Sequence, residues 1–137
     1  MVKRVFPSRY ESLAEIGEFV TEQAEAAGLD EKGAYAVQLA VDEACSNIIE
    51  HAYGEGKVGQ IKCTCTLIDG GLKIVLQDNG EPFAPDEVPE PSPGVPLEEY
   101  GPRGAGLFLM RKMMDEVKFD FRLGKGTTLT MVKRVKP

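Results

Sequence analysis

Glu43 and Asn47 are the residues whose types and spacing most directly suggest chemistry. Four apart on a helix, they would be surface neighbours. A carboxylate so placed can take a proton from a nucleophilic hydroxyl. The amide oxygen beside it is a hard ligand of the kind Mg²⁺ accepts. Asn is an indifferent mid-helix residue, because its amide competes for backbone hydrogen bonds. The pair alone is also what an ordinary amphipathic helix with a polar shoulder would contain. Three other stretches bear on the choice: Asp78-Asn79-Gly80, Gly101-Pro102-Arg103-Gly104-Ala105-Gly106, and Gly124-Lys125-Gly126-Thr127.

The elements that must position these residues follow from periodicity. Val37, Val41, Ala44, Ile48 and Ala52 recur at steps of four and three, one stripe of a helix running from about 31 to 53. Asp30 is its expected cap, and Gly54 and Gly56 its stop. An earlier helix is marked by Leu13, Ile16, Phe19, Val20 and Ala24, with Ser8 or Ser12 as cap and Gly28 as end. Residues 2 to 6 suit a short first strand. Ile61, Cys63, Cys65 and Leu67 alternate with polar residues, and Asp69-Gly70-Gly71 turns the chain into Leu72, Ile74 and Leu76. By parity Asp78 falls on the same apolar face as these three. A carboxylate there is costly unless donors meet it; the alternative is a turn at Asn79-Gly80, with Pro82 arguing against a resumed strand.

From 81 to 103 the composition changes: seven of the nine prolines and six acids lie here. A loop of this length in a compact domain is a functional lid or a disordered segment. Gly104 and Gly106 then lead into a helix with Leu107, Phe108, Met110, Met113 and Met114. Such a glycine-rich turn offers free N–H groups and a positive dipole end to an anion, unless the glycines are loop residues only. Val117, Phe119, Phe121 and Leu123 form a further alternating run. The last strand returns over 129 to 135, with Thr127 sharing the parity of Leu129 and Met131.

Bulk properties narrow the classes. The 137 residues suit one domain, with 42% hydrophobic and 28% charged residues. The net charge of -6 argues against direct nucleic-acid binding but not against a nucleotide ligand. No run approaches the roughly 18 apolar residues of a membrane span. Met1-Val2-Lys3-Arg4-Val5-Phe6-Pro7 has no long apolar core of a secretory signal, so the expected location is cytoplasmic. The three cysteines suggest buried thiols rather than a disulfide framework or a metal site.

Several motifs fail on inspection. Gly124-Lys125-Gly126-Thr127-Thr128 puts a glycine where a P-loop needs its hydroxyl residue, and it joins two strands. Leu109 stands where a dinucleotide fingerprint would have its third glycine. Asp78-Asn79-Gly80 lacks the other signatures of ordinary protein kinases. His51 is the only imidazole, and no nucleophile elbow accompanies it.

Taken in order, Glu-x-x-x-Asn on a helix, Asp-x-Gly after a strand, a lid ending in Gly-x-Gly before a helix, and Gly-x-Gly-Thr between the final strands resemble the GHKL (Bergerat-fold) ATP-binding domain. The compact length, Glu43-Ala-Cys-Ser-Asn47-Ile-Ile-Glu-His51-Ala-Tyr and Met114-Asp115-Glu116-Val117 are similar to the anti-sigma-factor serine/threonine kinases of bacteria. The resemblance implies an α/β two-layer sandwich, a mixed, mostly antiparallel sheet with helices on one face, formed by a single domain over 1–137 with an ATP lid at about 81–103. It implies ATP and Mg²⁺ as cofactors, with Asn47 as the metal ligand and Glu43 as general base. Asp78 would accept the adenine amino group, Gly80 would let the backbone pass the base, and Thr127 would support the adenine side. Gly104, Ala105, Gly106 and Leu107 would cradle phosphates, with Arg103 just ahead of them. The implied activity is phosphorylation of a serine on a small antagonist protein, coupled to sequestration of a sigma factor by a homodimer. The alternatives are a nucleotide-dependent binding switch that does not phosphorylate, or a histidine-kinase-type catalytic domain; an intact Glu43 favours the kinase.

Overall fold

The computed structural model describes residues 1–51, 59–79, 101–122 and 126–135. The expected continuation of the second helix past His51, the stops at Gly54 and Gly56, Gly80, and the lid up to residue 100 lie outside them. In chain order the elements are β1 (Val2–Pro7), α1 (Ser12–Ala26), α2 (Glu31–His51), β2 (Gln60–Ile68), β3 (Gly71–Asp78), α3 (Gly101–Met113), β4 (Glu116–Arg122) and β5 (Gly126–Arg134). The strands form one sheet in the order β1-β2-β3-β5-β4. Every pairing between these strands is antiparallel.

The period-two pattern sets the register. Cys63 lies opposite Leu76, Cys65 opposite Ile74, and Leu76 opposite Leu129. All five side chains are buried, on the face that the helices cover. Phe6 from β1 and Met131 from β5 complete that face, and Ile16, Val20, Val37, Val41, Leu107 and Met110 meet it from the helices. Helix α2 packs against both α1 and α3. Full burial of a side chain such as Val37 or Val41 contributes about 1.5–3 kcal/mol, so this middle helix anchors the layer. The methionines act as core residues: Met110 and Met114 are buried and Met113 is partly so.

The helix ends follow from local chemistry. Gly28 N–H donates to Glu25 O and Leu29 N–H to Ala24 O, the paired bonds of a Schellman motif, and both Ala24 and Leu29 are buried. Asp30 caps α2, its Oδ1 accepting from Gly33 N–H at 2.7 Å. Neither serine caps α1. Glu11 holds the cap position and makes no side-chain cap bond. The entry is instead closed by backbone bonds from Ser12 to Arg9 and from Leu13 to Tyr10. Ser8 is drawn elsewhere: its Oγ accepts from Gly59 N–H at 2.7 Å, and its own N–H donates to Gly59 O. Leu67 also departs from expectation. It shares the parity of the buried β2 residues yet is 54% exposed, because it lies at the hairpin end of the strand, one residue before Ile68 and the turn.

The three cysteines are free and buried. Burial pushes the Cys45 thiol up to about 12, which keeps it protonated and inert at neutral pH. Among the described residues no group of three His, Cys, Asp or Glu side chains could hold a metal ion, and no helix is long and apolar enough to cross a membrane. Replacing Asp30 with Ala is expected to cost about 1 kcal/mol by removing the cap bond to Gly33. Urea denaturation checks this: the midpoint should fall with an unchanged m-value.

Candidate functional site

Helix α2 presents Glu43 and Asn47 side by side at the edge of its buried stripe, both half-buried. Directly across from them is Gly106 of α3. A Cβ built at Gly106 would lie 2.8 Å from Glu43 Oε2 and 3.5 Å from Asn47 Nδ2. The helices therefore approach closely at this point: a side chain here would displace the end of Glu43, whereas Asn47 would remain in ordinary contact. The helix–helix contact thus brings a residue of the glycine-rich stretch to the Glu-x-x-x-Asn pair across a sequence separation that no pattern rule links.

The second half of the site is at the strand ends. Asp78 closes β3 and is 5% exposed; Thr127 opens β5 and is 6% exposed. Asp78 is the inward carboxylate expected from strand parity, and it is part of the strand rather than of a turn. The β3–β5 register reaches Gln77 opposite Thr128, so the next step brings Thr127 abreast of Asp78. Gly126 makes this crossing possible. Its φ is +80°, and a Cβ on it would overlap the Asp78 carbonyl and stand 2.8 Å from Asn79 Cα. Both halves occupy the same end of the molecule. The opposite end of β5, at Val135, lies beside Gly28 just ahead of α2. The start of β5 therefore belongs with the later half of α2.

Electrostatics single out Glu43. Its carboxyl is held above the ordinary glutamate range, first by burial and then by repulsion from Asp42 and Glu50. Glu50 in turn accepts a 2.9 Å hydrogen bond from the Tyr10 hydroxyl. Neither Glu50 nor Tyr10 stands out in the sequence motifs. Glu50 could have been found, since it stands seven residues, or two turns, beyond Glu43 on the same flank. Tyr10 could not, because forty residues separate it from Glu50.

The glycine-rich stretch differs from expectation in one respect. It does not precede a helix as a turn but is itself helical, since α3 begins at Gly101. The N–H groups left open by the intrahelical ladder belong to the first turn. Ala105, Gly106 and Leu107 lie past it, and the Leu107 side chain is 2% exposed within the core. Of Arg103, Gly104 and Ala105 the structure describes the helical backbone. Gly80 and the lid fall outside the described residues.

The fold is an α/β sandwich, an open antiparallel sheet covered on one face by helices, with a buried carboxylate at the end of β3. The sequence profile described as the histidine kinase-like ATPase domain matches residues 6–133, and the chain belongs to that family. It is 31% identical over 101 residues to the serine-protein kinase RsbW of Bacillus subtilis (strain 168), covering 71% of this chain and 62% of that protein. It is 34% identical over 101 residues to the RsbW of Halalkalibacterium halodurans, covering 71% and 60%. The chain thus spans about three fifths of the curated relatives it matches. In fold it resembles the crystal structure of the RsbU and RsbW domains of a Mycobacterium tuberculosis protein, with a TM-score of 0.70 at 18% identity over 97% of this chain and 31% of that one. It also resembles the histidine kinase domain of the blue-light activated histidine kinase of Erythrobacter litoralis EL346, with a TM-score of 0.58 at 16% identity over 90% and 60%.

The raised Glu43 pKa carries a stability consequence. The folded state holds that proton more tightly than the unfolded chain, so ionised Glu43 opposes folding, and the penalty is relieved as pH falls through its raised value. Glu43→Gln should therefore raise the melting temperature at neutral pH. The gain should vanish below the ordinary glutamate range, where wild-type Glu43 is protonated in both states. A scanning calorimetry series across pH checks both the sign and its disappearance.

Proposed function

We propose that this chain is an ATP-dependent protein-serine kinase that phosphorylates a serine of a small antagonist protein and, in its other role, sequesters a sigma factor as a homodimer. The observation that carries the reading is the close approach of Gly106 to Glu43 and Asn47, which sets a base and a metal-ligand type of residue beside the second turn of α3. The name shared by the relatives, serine-protein kinase, supports the activity.

The residues fit the cofactors. The buried Asp78 carboxylate lies at a strand end where it could accept from the adenine amino group. Thr127 beside it can add its hydroxyl, directly or through water, and Gly80 follows Asp78 closely enough to let the backbone skirt the base. Mg²⁺ is commonly held by one or two protein ligands plus substrate phosphates and water, which suits a site where Asn47 is the protein ligand. The open N–H groups of the first turn of α3, with Arg103 and Gly104, would bind phosphate oxygens. Past that turn, between Ala105 and Leu107, Gly106 lets the α3 backbone approach Glu43.

When bound, Mg²⁺ would neutralise charge on the phosphates and hold them in line with the acceptor. This chain's own contribution would be the proton: Glu43 would accept it from the incoming serine hydroxyl. Its raised pKa makes it a better base than an exposed glutamate once ionised. Burial, and after it repulsion from Asp42 and from a Glu50 held by Tyr10, would maintain that shift.

Asp78→Asn should weaken ATP and ADP binding about ten- to hundred-fold, the scale of a hydrogen bond to a charged group. Isothermal titration, alongside a thermal-shift series with ATP, ADP and GTP with and without Mg²⁺, checks this; unchanged affinity would remove the adenine assignment. Glu43→Ala should keep nucleotide affinity within a few-fold while phosphate transfer to a serine-bearing partner falls by about 10²–10⁴. Transfer from labelled ATP at wild-type rate would exclude Glu43 as the base.

A further inference from the structure

A second concavity lies at the other end of the helical layer. The turn between α1 and α2, the first turn of α2, the last turn of α3 and the end of β5 enclose a groove of about 590 Å³. That volume is in the range of recognition pockets. Lys32 stands eleven residues before Glu43 on α2, about 16 Å along the helix axis. The groove is therefore separate from the candidate nucleotide site, and its role is independent of the kinase reading.

Its lining combines two kinds of surface. Leu29, Ala36, Leu39 and Met113 are apolar. Around them stand Lys32, Lys112, Lys133 and Arg134, against one carboxylate, that of Asp30, among the described lining residues. Asp30 is already engaged, since its Oδ1 accepts the cap bond from Gly33. Arg134 is paired with Glu116, so its charge is partly offset. Lys133 gives one hydrogen to Met113 O at 2.8 Å and retains two. Lys112 rests over the Phe108 ring at 5.7 Å, a contact that leaves its charge in place. On a chain of net charge -6, this groove is thus a local reversal of sign. Two further lining residues form an exposed apolar margin: Tyr35 is 61% exposed and Val135 37%. A small anion would use the cations and leave this apolar margin in water. A segment carrying several side chains would cover both.

We propose that this groove docks an acidic segment of a protein partner, inserting an apolar side chain between Leu29, Leu39 and Met113 while its flanking carboxylates meet Lys32, Lys112 and Lys133. Tyrosine, methionine and arginine are the residue types enriched at protein interfaces, and all three occur here. Complementary charge of this kind sets orientation and association rate, and it is weakened by salt.

The test uses the full chain and a fluorescein-labelled nine-residue peptide in which leucine or phenylalanine is separated by pairs of glutamates. Fluorescence anisotropy should show saturable binding that weakens at least about fivefold between low and high salt. Amide shifts in NMR spectra should cluster at the start of α2, the end of α3 and the end of β5. The double variant Lys32→Glu/Lys112→Glu alters two exposed side chains, so its melting temperature should match wild type while its affinity drops about tenfold or more. Peptides with lysine in place of glutamate, or serine in place of the apolar residues, should fail to bind. The proposal is overturned if no saturable binding occurs, if the double variant binds equally well, if the serine peptide binds as tightly, or if the shifts cluster elsewhere. Displacement of the peptide by an equimolar small dicarboxylate would also overturn it, marking a small-anion site instead.

Discussion

The contact on which the site depends is that between α2 and α3 at Gly106. Helix α2 buries Val37, Ala40, Val41, Ala44 and Cys45 almost completely, and this fixes its rotation about its own axis. Glu43 and Asn47 are then committed to one flank, whatever else the chain requires of them. Because position 106 has no side chain, helix α3 comes alongside that flank without displacing the Glu43 carboxylate. Packing energy and site geometry are therefore the same constraint seen from two sides. The apolar stripe sets where the carboxylate points, and the glycine sets how closely the opposing backbone approaches.

A similar economy operates at the strand ends. Asp78 continues the apolar row of Leu72, Ile74 and Leu76, so the sheet carries a carboxylate into a place where water cannot easily follow. Gly126 lets β5 begin in contact with the backbone of Asp78 and Asn79, which brings Thr127 to the same spot. Buried polar groups are normally satisfied. Asp78 and Thr127 form a polar pair set into an otherwise apolar face, in a chain that belongs to the histidine kinase-like ATPase family.

The charge around Glu43 adds a tuning element. Asp42 is its immediate neighbour and Glu50 lies two turns on, so the helix sets like charges beside a partly desolvated carboxyl. A surface helix optimised for stability would interleave cations there. The Tyr10 hydroxyl instead holds Glu50 from the turn after β1. At the far end of the same helix the arrangement is reversed, with cations gathered around an apolar groove. The two ends of α2 thus present surfaces of opposite character.

Much of this was legible in the residues alone. Period-two alternation identified β2, β3, β4 and β5 and placed Asp78 inward, because strand parity is a local geometric rule. The 3.6-residue period identified α1 and α2, and Asp30 and Gly28 marked their boundaries through hydrogen bonds that span only a few residues. The four motifs in series were enough to suggest the family. Other features required the tertiary structure. The strand order, with β5 between β3 and β4, depends on long-range pairing. Ser8 bonds Gly59 instead of capping α1, since a distant backbone competes for its hydroxyl. Leu67 is exposed because the sheet outruns its cover, which no alternation pattern records. Gly106 meets Glu43 only after two helices have packed, and Tyr10 reaches Glu50 only after forty intervening residues have folded. Local rules determined which residues share a face; the burial of those faces against one another decided which of them meet.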